Sequence, residues 1–376
     1  MSPAQKSKAA AKPVGQLLII GFDGTAITPV LSAMLNRIQP AGVILFARNI
    51  VNAQQTHQLL KDCQAQVDEP LFTCVDLEGG RVDRFRNVTG PAPSAAEVFA
   101  TGDRKLFCKH GQLIGKICAA LGFNVDFAPV LDLAFDASRK VMSSRAFSTD
   151  TKEVVLYARE FLAGLKSAGV IGSGKHFPGL GEGNLDSHHD LPVIKKSLAR
   201  LWDEDLVPYR LMKRELPMVL VNHANYPAIT RDPLPASLSK YWITDILRKK
   251  IGYRGLIVSD DLEMGGVLAA APIDEAATRF IAAGGDLCLI CHQQELIEQA
   301  YETMLRKTEQ DVRFRRRVLE SARRIAAFKK KSRGLKRRSA APSPEKVSRL
   351  STQLWEFSEQ VRLQALSLAA AAGSRR

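Results

Sequence analysis

Eight short apolar runs, most of them rich in β-branched residues, recur along the chain, and longer stretches with helical spacing lie between them. This alternation limits the possible folds more than any other feature. The runs fall at 16–22, 42–46, 71–76, 124–132, 170–176, 218–222, 256–259 and 287–291. Stretches such as 53–66, 152–168, 196–214 and 240–250 carry apolar residues three and four apart, the period of an amphipathic helix. Strands alternating with helices build parallel sheets through right-handed crossovers. Eight such units in roughly 300 residues suit a closed (β/α)8 barrel, for which about 250 residues is typical. A doubly wound open sheet is the alternative.

The polar residues favour the barrel. Asp76 ends the third run, and Arg145 lies in the loop after the fourth. Lys175 and His176 end the fifth, His223 follows the sixth, and Asp260 and Asp261 end the seventh. A barrel brings the C-terminal ends of its strands to one rim, where active sites of this fold gather. One such residue could be a cap or an ion pair. Contributions from five strands to one rim are hard to explain as stability features.

The segment after the fifth run reads Lys175-His176-Phe177-Pro178-Gly179-Leu180-Gly181-Glu182-Gly183-Asn184-Leu185-Asp186-Ser187-His188-His189. Its glycines and proline predict a non-helical loop that can fold over a barrel mouth. Asp186 and His188 are two apart, close enough for the carboxylate to orient the imidazole and raise its proton affinity. An oriented histidine of this kind suits proton transfer to or from a leaving group.

Composition narrows the class further. The 376 residues carry a net charge of +14, but the excess is local. Between Arg306 and Arg338, 15 Lys or Arg stand against Glu309, Asp311 and Glu320. A basic patch confined to one helix and its tail is usually a solvated face, so nucleic-acid binding is not expected as the main role. No apolar run is long enough to span a bilayer. Residues 1–14 read as a basic, disordered lead-in without the apolar core of a secretory signal, which points to a cytoplasmic protein. The six cysteines show no zinc spacing and are expected to be reduced. The expected organisation is therefore a lead-in at 1–14, a catalytic barrel at 15–330, and a basic linker with a helical tail at 331–376. Within the last parts, 311–328 reads as a final helix, 329–344 as a linker and 345–372 as one more helix.

Four motifs now carry a resemblance. They are residues 76–84, Phe127-Ala128-Pro129-Val130-Leu131-Asp132, the loop 175–188, and Ser259-Asp260-Asp261-Leu262-Glu263-Met264. Together they resemble glycoside hydrolase family 3, in its β-N-acetylglucosaminidase branch, over roughly residues 15–330. The resemblance implies a retaining hydrolase for terminal β-linked N-acetylglucosamine, taken from muropeptide or other amino-sugar oligosaccharides. It implies Asp260 as nucleophile, His188 as acid/base and Asp186 as its partner. Asp76, Arg84, Arg145, Lys175 and His176 would bind the sugar, with Asp261, Glu78 and Arg81 as supporting residues. No metal or organic cofactor is implied, and a monomer is expected. A phosphorylase or β-glucosidase using the same site, and a non-catalytic sugar- or nucleic-acid-binding protein, are the alternatives. His223 could line the pocket, whereas His57, His110 and His292 lack motif context and read as structural. The family usually has His where Leu180 stands, which bears on loop packing rather than reaction type. Longer members carry a further α/β domain, so the chain resembles the single-domain form.

Overall fold

A computed structural model describes residues 11–183, 191–231, 233–332, 334–336 and 340–373. Eight parallel strands close into a barrel: β1 (Leu18–Ile20), β2 (Gly42–Ile44), β3 (Phe72–Val75), β4 (Val125–Asp126), β5 (Ile171–Phe177), β6 (Met218–Val221), β7 (Leu256–Asp261) and β8 (Leu287–Ile290). Each strand pairs with its neighbours in sequence, and β8 closes on β1 with Leu18 opposite Cys288. The strand residues are buried almost throughout. That is the expected pattern when one face of a sheet fills the barrel and the other packs on helices.

Several helices around the barrel are capped by side chains the sequence supplies. Thr28, Asn52, Asp103, Asp150 and Ser197 each accept a hydrogen bond from an otherwise unpaired N–H of the first turn. Helices Arg104–Leu121 and Thr151–Ser167 approach very closely. A Cβ on Gly111 would overlap the carbonyl of Phe161, and one on Gly164 the carbonyl of Cys108. Only glycine at both positions permits that contact.

The barrel expected from the sequence is present, with local differences. The run 124–132 is extended only at Val125–Asp126, with an isolated bridge from Val130 to Lys175. Pro129 has no N–H to donate, and around it the contact with β5 is kept by the N–H of Ser173 to the Ala128 carbonyl, of Lys175 to the Pro129 carbonyl and of Leu131 to the Lys175 carbonyl. The stretch 196–214 is two short helices, Leu198–Asp203 and Val207–Leu211, because Glu204 leaves helical geometry and Pro208 starts the next turn. Residues Tyr241–Lys250 wind as a π-helix rather than an α-helix. After β3 the chain makes an antiparallel hairpin, Leu77–Gly79 with Val82–Asp83, that periodicity did not predict.

Helix Val312–Lys331 crosses the N-terminal pole of the barrel. Arg317 and Arg324 bond Asp286, just before β8. Lys329 donates to the carbonyl of Ala41, just before β2, at 2.9 Å. The last helix, Pro344–Gly373, runs along Arg104–Leu121 and buries Leu350, Leu354, Phe357 and Val361. No described helix is long and apolar enough to cross a membrane, and none of the six cysteines forms a disulfide.

Candidate active site

At the opposite pole, the C-terminal strand ends hold a connected set of charges. Lys175, near the end of β5, is almost fully buried and donates to Asp76 Oδ1 at 2.8 Å. Its ammonium also lies 2.5 Å from Glu78 Oε1. Arg145 binds Glu78 in a two-point fork, Nε to Oε2 at 2.7 Å and Nη2 to Oε1 at 2.8 Å. Such pairs fix the guanidinium plane as well as its charge.

The network continues into His176. Arg145 Nη2 lies 3.2 Å from His176 Nε2, and His176 Nδ1 lies 2.6 Å from Asp132 Oδ2. Arginine can only donate, so Nε2 accepts and the Nδ1 proton points at Asp132. Asp132 also accepts the backbone N–H of His176 and of Leu180. One fully buried carboxylate thus orients the imidazole and pins the start of the loop. Asn222 and Tyr226 reinforce it. Asn222 donates to the His176 carbonyl at 3.0 Å and Tyr226 to the Gly179 carbonyl at 2.7 Å.

Asp260 sits near the end of β7 and is half-buried. Among the described residues, its side chain accepts one hydrogen bond, from the N–H of Asp261 to Oδ1 at 3.0 Å. Burial pushes this carboxyl up. The positive charge of His176 or His223 in its imidazolium form pulls it down, as do the Asp261 N–H and Lys175, and the balance leaves it below its ordinary value. Glu78 follows the same logic. Burial would raise it, but Arg145 and Lys175 hold it well below the usual carboxylate range. Both carboxylates are therefore ionised at neutral pH. Asp260 keeps lone pairs that no described group uses.

The loop after β5 is anchored on both flanks. Lys196 lies buried 2.6 Å from Asp205 Oδ2, 2.7 Å from Glu204 Oε2 and 3.7 Å from Glu182 Oε1. Burial pushes Asp205 up to about 6 despite the opposing Lys196 charge. Leu180 is buried in the apolar core. Residues 184–190 lie outside the described residues, and His188 and Asp186 are among them. Among the described residues, no group of three His, Cys, Asp or Glu is placed to hold a metal ion.

This geometry can be set against known proteins. The family model described as the glycosyl hydrolase family 3 N-terminal domain matches residues 11–327. The chain belongs to glycosyl hydrolase family 3. It is 36% identical over 312 residues to a protein named Beta-hexosaminidase from Bordetella parapertussis, covering 81% of this chain and 87% of that one. A Beta-hexosaminidase from Idiomarina loihiensis is 33% identical over 347 residues, covering 91% of this chain and 98% of the relative. Among solved structures, a family 3 β-N-acetylglucosaminidase from Paenibacillus sp. str. FPU-7 superposes with a TM-score of 0.86 at 30% identity. That match spans 93% of this chain and 68% of the Paenibacillus chain. The protein is thus a glycoside hydrolase of family 3.

Within this family 3 enzyme, Asp76, Arg145, Lys175 and His176 join one network. Arg84 stands apart, partly buried with its guanidinium 5.5 Å from the centre of the Phe46 ring. Glu78 pairs with Arg145 and Lys175, whereas Arg81 is exposed. His223 is fully buried between Ser237 Oγ at 2.7 Å and the carbonyl of Asp261 at 2.9 Å, so it braces β7. His57 and His110 are buried, as expected of structural residues. His292 lies nearer the strand ends than the other two. It is exposed, stacks on Phe46 at 5.3 Å, and sits 3.2 Å from Asp261 Oδ2. Asp132 was visible in its motif but carried no role until the fold brought it to His176.

Proposed function

We propose that this chain is a retaining β-N-acetylhexosaminidase that removes terminal β-linked N-acetylglucosamine from muropeptide or other amino-sugar oligosaccharides. One observation carries the reading. Asp260 is an ionised carboxylate with uncommitted lone pairs, at the same strand-end pole as a fixed set of charged donors and acceptors. The names of the relatives support the sugar class.

In this reading an Asp260 oxygen attacks the anomeric carbon and forms an ester with it. The bond from that carbon to the aglycone oxygen breaks, and its electron pair leaves with the oxygen. His188 supplies a proton to that oxygen, with Asp186 as its partner. Both roles rest on the resemblance of the loop. Water then attacks the same carbon, His188 takes its proton, and Asp260 departs as carboxylate. Two inversions give net retention. Asp76, Lys175, Arg145 and His176 hold sugar hydroxyls and the acetamide, with geometry set in advance by Glu78 and Asp132. Preset donors avoid reorganisation at the moment of reaction.

The test compares p-nitrophenyl β-N-acetylglucosaminide with the glucoside, with and without phosphate. We expect turnover of the N-acetyl sugar alone, unaffected by phosphate. Strong phosphate stimulation would reassign the enzyme as a phosphorylase, and preference for the glucoside would refute the sugar assignment. His188→Ala should lower the rate on an unactivated disaccharide by roughly 10²–10⁴, the usual weight of general acid–base catalysis. A wild-type rate in that variant would remove His188 from the mechanism.

A further inference from the structure

The pole opposite the catalytic mouth carries a feature that hydrolysis does not use. Helix Val312–Lys331 lies across it with its apolar side inward, burying Phe314, Val318 and Ile325 at helical spacing. The inward arginines are neutralised. Arg317 and Arg324 bind Asp286 and share Glu320, the one acid on that helix. The outward row is not neutralised. Arg313, Arg316, Arg323, Lys330 and Lys331 are exposed, and none of their charged heads makes an ion pair or hydrogen bond among the described residues.

The row leads into a cleft. Beyond Lys331 the chain passes so close to the strand-start loop that a Cβ on Gly334 would overlap the carbonyl of Gly169. Next to that loop, a cleft of about 410 Å³ opens between the last helix and the ends of Arg104–Leu121 and Thr151–Ser167. Its apolar floor includes Ala119, Ala120, Ala168 and Leu350, and its rim carries Lys116, Lys346 and Arg349. These three heads are also without a salt bridge among the described residues. Its volume falls in the range of small-molecule sites.

We propose that this pole docks on an anionic phospholipid bilayer, with the basic row against the headgroups and the cleft taking one anionic lipid. Unpaired cations next to apolar carbon match a phosphate joined to glycerol and acyl chains. A single-stranded nucleic acid would call for aromatic platforms along the row, and no aromatic residue of that helix is exposed: the exposed positions are arginine, lysine and alanine, with Val312 and Glu320. Docked this way, the strand-end pole with Asp260 faces away from the bilayer and stays open to a dissolved substrate.

The full chain is sedimented with phosphatidylcholine vesicles with and without phosphatidylglycerol, at low and high salt. A fluorescent DNA duplex is titrated in parallel. We expect binding to the anionic vesicles alone, lost at high salt and weakened about 100-fold by Arg313→Glu, Arg316→Glu and Arg323→Glu together. Lys346→Ala with Arg349→Ala should weaken it about tenfold. Turnover of the chromogenic substrate in solution reports that each variant is folded and should be unchanged. No sedimentation with anionic vesicles at low salt would overturn the proposal. So would binding that the charge reversals leave intact, or a duplex affinity equal to that for the vesicles.

Discussion

The two poles of the barrel each bury a carboxylate among cations, and they differ in what is left over. At the N-terminal pole Asp286 is saturated by its own chain. Oδ1 receives Arg317, Arg324 and Ser321, and Oδ2 receives Arg248 and the N–H of Ile257. Nothing remains for a ligand, so this cluster ties the last helix to the barrel. At the strand-end pole the charges are shared along a chain and end at groups that reach solvent. The Asp76 and Arg145 side chains keep 20% and 18% exposure, and Asp260 accepts one backbone N–H. Unspent hydrogen-bonding capacity, rather than buried charge as such, separates a site from a staple.

Substitutions at the two carboxylates should break in opposite directions. Asp260→Ala should reduce turnover by about 10⁴-fold or more, the scale for loss of a nucleophile, with little change in melting temperature. Asp286→Ala should cost about 3–5 kcal/mol of stability by leaving buried arginines unpaired, while the protein that remains folded keeps near wild-type kcat/KM. Rate assays beside thermal melts of both variants would show whether the contrast holds. Two rate losses, or two stability losses, would erase it.

Charge balance at the strand-end pole gives a smaller and sharper test. Asp260 lies below its ordinary value against the upward push of burial, through His176 and His223 first, then the Asp261 N–H and, last, Lys175. The acid limb of kcat/KM should therefore fall below the ordinary carboxylate range. Lys175→Met should lower the plateau and move that limb to higher pH. Stability carries the same sign. Glu78 is held low in the folded state, so its contribution is present above the unfolded value of about 4.3 and is lost as pH falls through the folded one. Acid titration of Glu78→Gln beside the wild type should show the wild-type advantage vanish at low pH. The mildest effect on chemistry belongs to the tail. Removing 344–376 exposes the surface covered by Leu354, Phe357 and Val361, so the melting temperature should drop while turnover of the chromogenic substrate persists.

The barrel was legible because eight apolar runs and their spacing record burial directly. Asp76, Lys175, His176 and Asp260 were legible because they end or follow such runs. What escaped depends on partners far away in sequence. Asp132 reaches His176 across 44 residues, and Glu78 reaches Arg145 across 67. No periodicity records such pairs. His292 stood without a motif because its meaning comes from Asp261 and Phe46, both on other strand ends. The break at Glu204 and the π-winding of Tyr241–Lys250 are backbone choices that apolar spacing alone does not distinguish from a continuous α-helix.

In the proposed mechanism Asp260 forms a covalent bond to the sugar. A slow, fluorinated N-acetylglucosaminyl substrate, followed by proteolysis and mass spectrometry, tests it most directly. The account predicts one glycosyl adduct per chain, on the peptide that contains Asp260, absent from Asp260→Ala. An adduct on another residue, or full inactivation with no adduct, would contradict it.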